Sequence, residues 1–257
     1  MDLGIAGRTA VVLASTDGLG AAVARALAAE GVKVVVTGRD PEKVRRVADS
    51  LPGGAGVVCD LSRPGAADEI FDTADILSDG PDIVVLNGPG PVPGRATDLD
   101  ETALHSAVDI LLAANIGVVN RALPGMRRRR WGRVVAIGSS GVEAPLPGLA
   151  TSNLGRAALA AYLKTLAAEV AVDGVTVNMV LPGRIATGRV ESLDQLAAAN
   201  SGRTVEQVRA ASRSRIPVGR YGRPDELGAV AAFLCGEPAS YVTGGLIRCD
   251  GGLLGNL

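Results

Sequence analysis

The fold is decided by residues 9–30, which read TAVVLASTDGLGAAVARALAAE. The Val-rich start of this stretch, residues 9–13, predicts a buried strand, and the Ala-rich run at 19–30 predicts a helix. Gly18 and Gly20 lie in the turn between them. A glycine turn in this position lets backbone N–H groups and the positive end of the helix face a pyrophosphate. The stretch therefore predicts a phosphate-binding βα turn; glycines that serve only close packing are the alternative.

The alternation of strand and helix continues to the end of the chain. Further strands are predicted at 32–37, 56–59, 82–86, 133–137, 175–181 and 246–249, and further helices at about 41–50, 64–78, 100–126, 152–172 and 224–235. Nearly continuous apolar strands separated by helices are typical of a parallel sheet covered on both faces. We therefore expect one α/β domain over residues 1–257, a Rossmann-type doubly wound fold with a seven-stranded parallel sheet.

Composition excludes several classes of function. The 257 residues are 47% apolar and carry a net charge of −1, which argues against an electrostatic grip on nucleic acid or an anionic membrane. The three cysteines have neither metal-ligand spacing nor the even number of a disulfide framework, so no metal site is predicted. The sequence shows no signal peptide and no apolar run judged long enough to span a membrane. A cytoplasmic protein without membrane or nucleic-acid partners is expected.

The end of the second strand bears on which nucleotide is bound. NAD-binding folds usually place an acidic residue about twenty residues past the glycines, where it holds the ribose diol. Here that neighbourhood offers Thr37 and Arg39, and a cation favours a 2′-phosphate. Asp17, in the glycine turn, disfavours it. On balance NADP(H) is favoured over NAD(H), with an ordinary solvated Arg39 as the alternative.

Residues 187–217 interrupt the regular alternation. This polar segment holds Arg203, Arg209, Arg213 and Arg215, and it is too long for an ordinary connection. Such segments often close over a binding site, so we identify it as a candidate substrate lid. A solvated surface excursion is the alternative. The arginines would suit an anionic substrate.

Other motifs stand in a fixed order along the chain. They are Asp60-Leu61 after the third strand, Asn87-Gly88-Pro89-Gly90 after the fourth, WGRVV at 131–135, PGRIAT at 182–187, YVTG at 241–244 and DGG at 250–252. Together with the glycine turn, in which Ala14 replaces a first glycine, they resemble the short-chain dehydrogenase/reductase family over essentially the whole chain. The resemblance implies a small-molecule substrate and a homo-oligomer, tetramer or dimer, joined through the helices near 100–126 and 152–172. It implies cofactor contacts from Ser15, Thr16, Gly18, Leu19, Gly20, Arg39, Asp60, Leu61, Asn87, Gly88, Arg156, Pro182, Gly183, Ile185 and Thr187.

The expected catalytic residues depart from the family pattern. Ser139 stands at the position of the family serine, but thirteen residues later Ser152 replaces the tyrosine of Tyr-x-x-x-Lys and Arg156 replaces its lysine. The family asparagine of the fourth helix falls on Leu111. Tyr162 lies ten residues along the helix from Ser152, about 15 Å, which is out of reach. The chain thus resembles a divergent branch lacking the tyrosine, which includes the bacilysin-pathway reductases and implies reduction at a conjugated carbon.

The remaining groups are expected to bind and stabilise rather than to transfer a proton. Ser152 is an unactivated alcohol, and Arg156 keeps its proton but donates hydrogen bonds to a ribose and stabilises an oxyanion. General acid catalysis contributes about 10²–10⁴ in rate, whereas positioning contributes about 7–11 kcal/mol. We therefore expect an NADP(H)-dependent oxidoreductase acting on a small carbonyl or conjugated enone, with Ser139, Ser152 and Arg156 as its atypical catalytic set.

Several alternatives stay open. One is a catalytically silent nucleotide-binding protein, and another is a non-redox isomerase or lyase on the same fold. Glu143, in the loop after the fifth strand, is considered as a substitute acid, although an ordinary loop carboxylate is favoured. His105, the one histidine, is expected to be an ordinary helix residue.

Overall fold

The computed structural model describes residues 1–63, 65–73 and 80–256. It contains one sheet of seven parallel strands in the order β3-β2-β1-β4-β5-β6-β7. The strands are β1 (Thr9–Val12), β2 (Lys33–Gly38), β3 (Ala55–Val58), β4 (Ile83–Leu86), β5 (Gly132–Ile137), β6 (Val175–Pro182) and β7 (Leu246–Cys249). Strand order reverses between β1 and β4, and ligands of doubly wound sheets bind at the carboxyl ends of the strands beside such a reversal. The predicted fold class is confirmed, and each strand lies within one residue of its predicted bounds.

Helices cover both faces of the sheet. They are α1 (Gly18–Ala29), α2 (Pro41–Asp49), α3 (Ala66–Thr73), α4 (Glu101–Val108), α5 (Ala114–Arg129), α6 (Ala150–Val170), α7 (Gly188–Ser201), α8 (Val205–Arg213) and α9 (Pro224–Cys235). The helix predicted at 64–78 is described over Ala66–Thr73, and residues 64 and 74–79 lie outside the described residues. The segment 187–217, to which the sequence analysis assigned no helix or strand, contains α7 and α8.

Two apolar layers form because successive strand residues point to opposite faces. Val11 and Val134 face the layer that includes α5 and α6, with Leu159 and Leu163 contributed by α6. Val12 and Val135 lie in the layer formed with α1 and α9. This two-sided burial explains why the strands are almost continuously apolar in the sequence.

One long helical segment differs in detail from its prediction. The helix predicted at 100–126 is α4 followed by a π-helical turn, Asp109–Ala113, and then α5. By length and composition the segment Glu101–Arg129 could cross a membrane, with a mean hydropathy of 1.6 over its apolar window. The sequence analysis predicted no membrane-spanning segment. Val118, Val119 and Met126 of this segment are fully buried in the apolar layer that includes α5 and α6, while 28% of the apolar window as a whole is buried.

The turn after β1 holds a strained residue. Ala14 has a φ of 45°, in the left-handed region that favours glycine. Its N–H donates to Thr37 Oγ1 at 3.0 Å, and its carbonyl accepts from Asn87 Nδ2 at 3.2 Å. These contacts from two neighbouring strands hold the residue in this conformation. The structure thus explains why the related family has a glycine at the position of Ala14.

We expect Ala14→Gly to increase the free energy of unfolding by about 1 kcal/mol, because glycine adopts this φ without strain. For a chain of this size that corresponds to a rise of about 2–4 °C in melting temperature. Chemical and thermal denaturation followed by circular dichroism measure it. Ala21→Gly, inside α1, is the matched control and should lower stability by at least about 1 kcal/mol. A loss of stability in both variants would show that Ala14 is not strained.

Candidate active site

A cavity of about 1030 Å³ opens at the carboxyl ends of the strands, beside the reversal of strand order. Its walls come from the loops after β1, β4, β5 and β6, and from the helices α6, α7 and α8. The loop after β4 is fixed to the start of α6, because Gly94 N–H donates to Gly148 O at 2.8 Å and Thr151 Oγ1 donates to Val92 O at 3.2 Å. These hydrogen bonds therefore hold the cavity wall in place around the first turn of α6.

The glycine turn forms one end of this cavity. Gly18 and Leu19 line it at the N-terminus of α1. Asp17 also lines it, and its carboxylate caps α1 by accepting from Gly18 N–H at 2.6 Å. Gly20 is buried, and a Cβ there would lie 2.5 Å from Ala14 O and 2.8 Å from Asn87 Nδ2. Gly20 thus serves close packing, while Gly18 and Leu19 face the ligand space.

The residues that line the cavity fit a pyridine dinucleotide, except for the carboxylate of Asp17. A helix N-terminus faces the cavity, and Gly18 and Gly183, which have no side chains, are part of its lining. These are the features that let backbone approach a phosphate-bearing ligand closely. The carboxylate of Asp17 opposes this, because it adds a negative charge where the pyrophosphate would lie.

The structure divides the predicted cofactor residues into two groups. Those that line the cavity are Gly18, Leu19, Asn87, Gly88, Arg156, Pro182, Gly183, Ile185 and Thr187. Those outside its lining are Ser15, Thr16, Gly20, Arg39, Asp60 and Leu61. Ser15 is fully buried, and its hydroxyl donates to Val12 O at 2.7 Å and accepts from Thr37 N–H at 3.1 Å. Its side chain is thus used to join the turn to β2.

Arg39 and Asp60 lie beyond the ends of neighbouring strands, β2 and β3. Arg39 is exposed. Hydrogen bonds from the Ser62 N–H and hydroxyl lower the pKa of Asp60, and the nearby charge of Arg39 lowers it further. Leu61 is buried in the apolar core. This edge of the sheet thus presents a cation and a carboxylate together, outside the main cavity.

The three predicted catalytic residues line one cavity. Ser139 follows β5 and accepts from Gly141 N–H at 3.0 Å, while Ser152 lies half-buried in the first turn of α6. Arg156 lies one turn further along α6, and its Nη1 donates to Ile137 O at 2.6 Å, at the end of β5. Burial and the nearby charge of Arg189 lower the pKa of Arg156 to about 10, so the guanidinium stays charged at neutral pH.

Glu143, which was considered as a substitute acid, lies outside the cavity lining, as do Tyr162 and His105. Tyr162 is on α6 beyond the site, where burial raises the pKa of its phenol. Glu143 is held in an ion pair by Arg248, whose Nε donates to Glu143 Oε2 at 2.7 Å. His105 is exposed on α4. Ordinary structural roles account for Glu143 and His105.

Leu111 occupies the π-helical turn and is buried against α6. A Cβ on Gly155 would lie 2.8 Å from Leu111 Cδ1, so the glycine admits the leucine. Asn115, which sequence reasoning missed, donates from Nδ2 to Leu111 O at 2.9 Å. Asn115 is buried, whereas Asn120 of the same helix is exposed, and the sequence alone does not distinguish these two asparagines.

The candidate lid consists of α7 and α8 joined by a buried carboxylate. Asp194 is fully buried, lies 3.2 Å from Arg184 Nη1 and 3.6 Å from Arg209 Nε, and accepts from Tyr221 Oη at 3.0 Å. Of the predicted lid arginines, Arg203 and Arg215 line the cavity. Arg209 and Arg213 are instead in ion pairs with acidic residues outside it.

Arg189 also escaped the sequence reading. It is the second residue of α7, and its Nη2 donates to Pro91 O at 2.8 Å. A Cβ on Gly90 would lie 2.7 Å from Arg189 Nε, so the guanidinium packs over the loop after β4. This contact could not be predicted from the sequence, because it joins residues about a hundred positions apart. Among the described residues, no three His, Cys, Asp or Glu side chains gather to hold a metal ion.

Comparisons with known proteins agree with this architecture. The family model described as enoyl-(acyl carrier protein) reductase matches residues 13–254. Dehydrogenase/reductase SDR family member 4 of Bos taurus is 32% identical, over 97% of this chain and 88% of the relative. L-sorbose reductase of Gluconobacter frateurii, solved with NADPH and L-sorbose, superposes with a TM-score of 0.94 at 28% identity over the whole of both chains.

A third similar structure is YwfH, described as an NADPH-dependent reductase involved in bacilysin biosynthesis. It has a TM-score of 0.89 at 27% identity, covering 97% of this chain and 99% of that one. The matches span nearly the full length and include a relative above 30% identity. The chain therefore belongs to the short-chain dehydrogenase/reductase family of oxidoreductases.

Proposed function

We propose that this protein is an NADP(H)-dependent oxidoreductase that transfers a hydride to or from a small carbonyl or conjugated enone. One observation carries the proposal: the glycine turn and the set Ser139, Ser152 and Arg156 line a single cavity that contains no obvious proton donor. Among the described residues, the lining includes no His, Cys, Tyr, Lys or Glu. A site of this kind suits a reaction in which binding and charge stabilisation suffice.

Three features support NADP(H) as the cofactor. L-sorbose reductase and YwfH are both described with NADPH. Arg39 stands exposed after β2, where a 2′-phosphate would meet a cation. The turn at Gly18 and Leu19, together with Pro182, Gly183, Ile185 and Thr187, would hold the pyrophosphate and nicotinamide ends. When bound, the reduced cofactor supplies the hydride.

The chain's own residues bind and orient the substrate. Ser139 and Ser152 would donate hydrogen bonds to the carbonyl oxygen, and the fixed positive charge of Arg156 would stabilise the negative charge that develops there. Arg156 would also hold the nicotinamide ribose. A delocalised enolate gains less from a general acid than an alkoxide does, because its charge is spread over several atoms and water can protonate it. This difference favours an enone over a saturated ketone.

We further propose that residues 187–217 close over the substrate, because α7 and α8 form one wall of the cavity. By analogy with its family, the chain would form a homo-oligomer, a tetramer or dimer, in the cytoplasm. Leu154 on α6 supports an interface there, since 40% of this apolar side chain is exposed in the single chain.

The direct test is NADPH consumption with matched enones and saturated ketones. We expect oxidation of NADPH with 2-cyclohexenone and slower turnover with cyclohexanone, because the ketone needs proton donation that the cavity lacks. Absorbance at the dihydronicotinamide band and product analysis measure both. Tight NADPH binding with no turnover of any acceptor would favour a silent nucleotide-binding protein. Product formation in cofactor-free buffer would favour an isomerase or lyase.

Restoring the tyrosine and lysine of the family pattern should change the turnover of saturated ketones more than that of enones. We expect the double variant Ser152→Tyr with Arg156→Lys to raise kcat/KM for saturated ketones by about 10²-fold, within the range of general acid catalysis. Turnover of the enone should change by less than about tenfold. The variant Ser152→Phe with Arg156→Lys is the control, since it fills the same space without a phenol hydroxyl. Equal gains in both variants would contradict the role of a missing acid.

Removing the charge of Asp17 should strengthen cofactor binding. Asp17→Asn keeps an acceptor for the helix cap and removes the negative charge that faces the pyrophosphate. We expect the dissociation constant for NADPH to fall by about two- to fivefold, with a larger change at low ionic strength. Fluorescence titration measures it. Asp100→Asn, at the N-cap of α4 and outside the cavity lining, should leave the constant unchanged. An unchanged constant in Asp17→Asn would show that the phosphates bind elsewhere.

A further inference from the structure

The charge of the cavity differs from that of the whole chain. Although the protein has a net charge of −1, the cavity is lined by six arginines and, among the described residues, one carboxylate. The carboxylate is Asp17, and the arginines are Arg95, Arg156, Arg184, Arg189, Arg203 and Arg215. A wall of this composition raises the local concentration of anions. The cofactor's phosphates would meet the end of the cavity at Gly18, whereas most of these arginines belong to the candidate lid and the loop after β4.

Two of the six arginines already have an acidic partner or a role in the proposed function. Arg184 forms an ion pair with the buried Asp194. Arg156 is tied to Ile137 O at the end of β5. Of the others, Arg203 donates to Gln207 O, and Arg95 and Arg215 are exposed to solvent.

Arg189 is half-buried and, like Arg156, has no acidic partner among the described residues, but it has no role in the function proposed above. Its Nη2 donates to the carbonyl of Pro91. Burial lowers the pKa of Arg189, which is the signature of a cation that has lost solvent without gaining a counterion. Its position in the first turn of α7 adds the positive end of that helix to the same region. An anion bound there would offset both costs.

We propose that the substrate carries a carboxylate and that Arg189 binds it, while Ser139 and Ser152 hold the reacting carbonyl or enone oxygen. The planar guanidinium matches the two oxygens of a carboxylate. The inference rests on the proposed function, and it makes the substrate class an oxo acid or an unsaturated oxo acid. The pyrophosphate of the cofactor is the competing anion, and the test separates the two.

The test compares oxo acids with their primary amides as ligands of the NADP⁺-saturated protein, in which no hydride can be transferred to them. The panel is pyruvate, 4-oxopentanoate, and 3- and 4-oxocyclohexanecarboxylate. Calorimetry should show at least one acid binding about 10- to 100-fold more tightly than its amide, the range expected for a charge-assisted pair. Arg189→Gln should reduce that ratio below about threefold, and Arg189→Lys should retain part of it. Arg213→Gln, an ion-paired lid arginine outside the cavity, should keep the full ratio.

The outcomes are distinct from those of the proposed function. If no acid binds more tightly than its amide, the inference fails, even when NADPH-dependent turnover of neutral enones is found. If Arg189→Gln weakens NADPH binding and leaves the acid-to-amide ratio unchanged, Arg189 serves the cofactor and the inference fails. If the ratio depends on Arg189 but no acceptor is turned over, the carboxylate site stands and the redox proposal fails. Circular dichroism of each variant establishes that it is folded.

Discussion

The cavity depends on the close approach of helix α1 to the turn after β1, which is possible because residue 20 has no side chain. A Cβ at Gly20 would collide with Ala14 O and Asn87 Nδ2, which are hydrogen-bonded to each other at 3.2 Å. That bond joins the loops after β1 and β4, the two strands between which strand order reverses. The cavity walls on either side of the reversal are thus held at a fixed separation. The strained Ala14 and the glycine at 20 are two parts of this one constraint.

Beyond that constraint, the cavity offers permanent charge and hydroxyl groups, and its described lining includes no His, Cys, Tyr, Lys or Glu. Ser139 and Ser152 are neutral hydrogen-bonding groups, and Arg156 remains charged at neutral pH because its pKa is about 10. Such groups stabilise a negative charge wherever it develops, but they do not deliver a proton to it. The same reasoning favours anionic ligands, since the lining arginines outnumber the carboxylate. The proposed substrate class and the proposed catalytic set therefore rest on the same electrostatic argument.

The strands and several helices were predicted well, because the spacing and density of apolar residues directly indicate buried elements. All seven strands and the helices α1, α2, α6 and α9 lie close to their predicted bounds. The π-helical turn at Leu111 could not be predicted, since it depends on how α6 packs at Gly155. The apolar residues of α7 show weak helical periodicity, whereas those of α8 have a clear helical spacing that the sequence analysis did not use. Arg189 was missed because its role comes from a contact with Pro91, far away in the sequence. Ser15 and Leu61 were assigned by motif, yet their side chains are buried in the fold.

The buried carboxylate of Asp194 has a consequence for how ligands enter. Its partners come from the β6 loop, α8 and the segment after α8, namely Arg184, Arg209 and Tyr221. Separating α7 from α8 would leave this charge unpaired in the interior, at a cost of several kcal/mol. Arg184 and Tyr221 lie on either side of residues 187–217, so Asp194 ties α7 to the body of the protein as well as to α8. Moving α7 away from any of these partners therefore carries the cost of an unpaired buried charge.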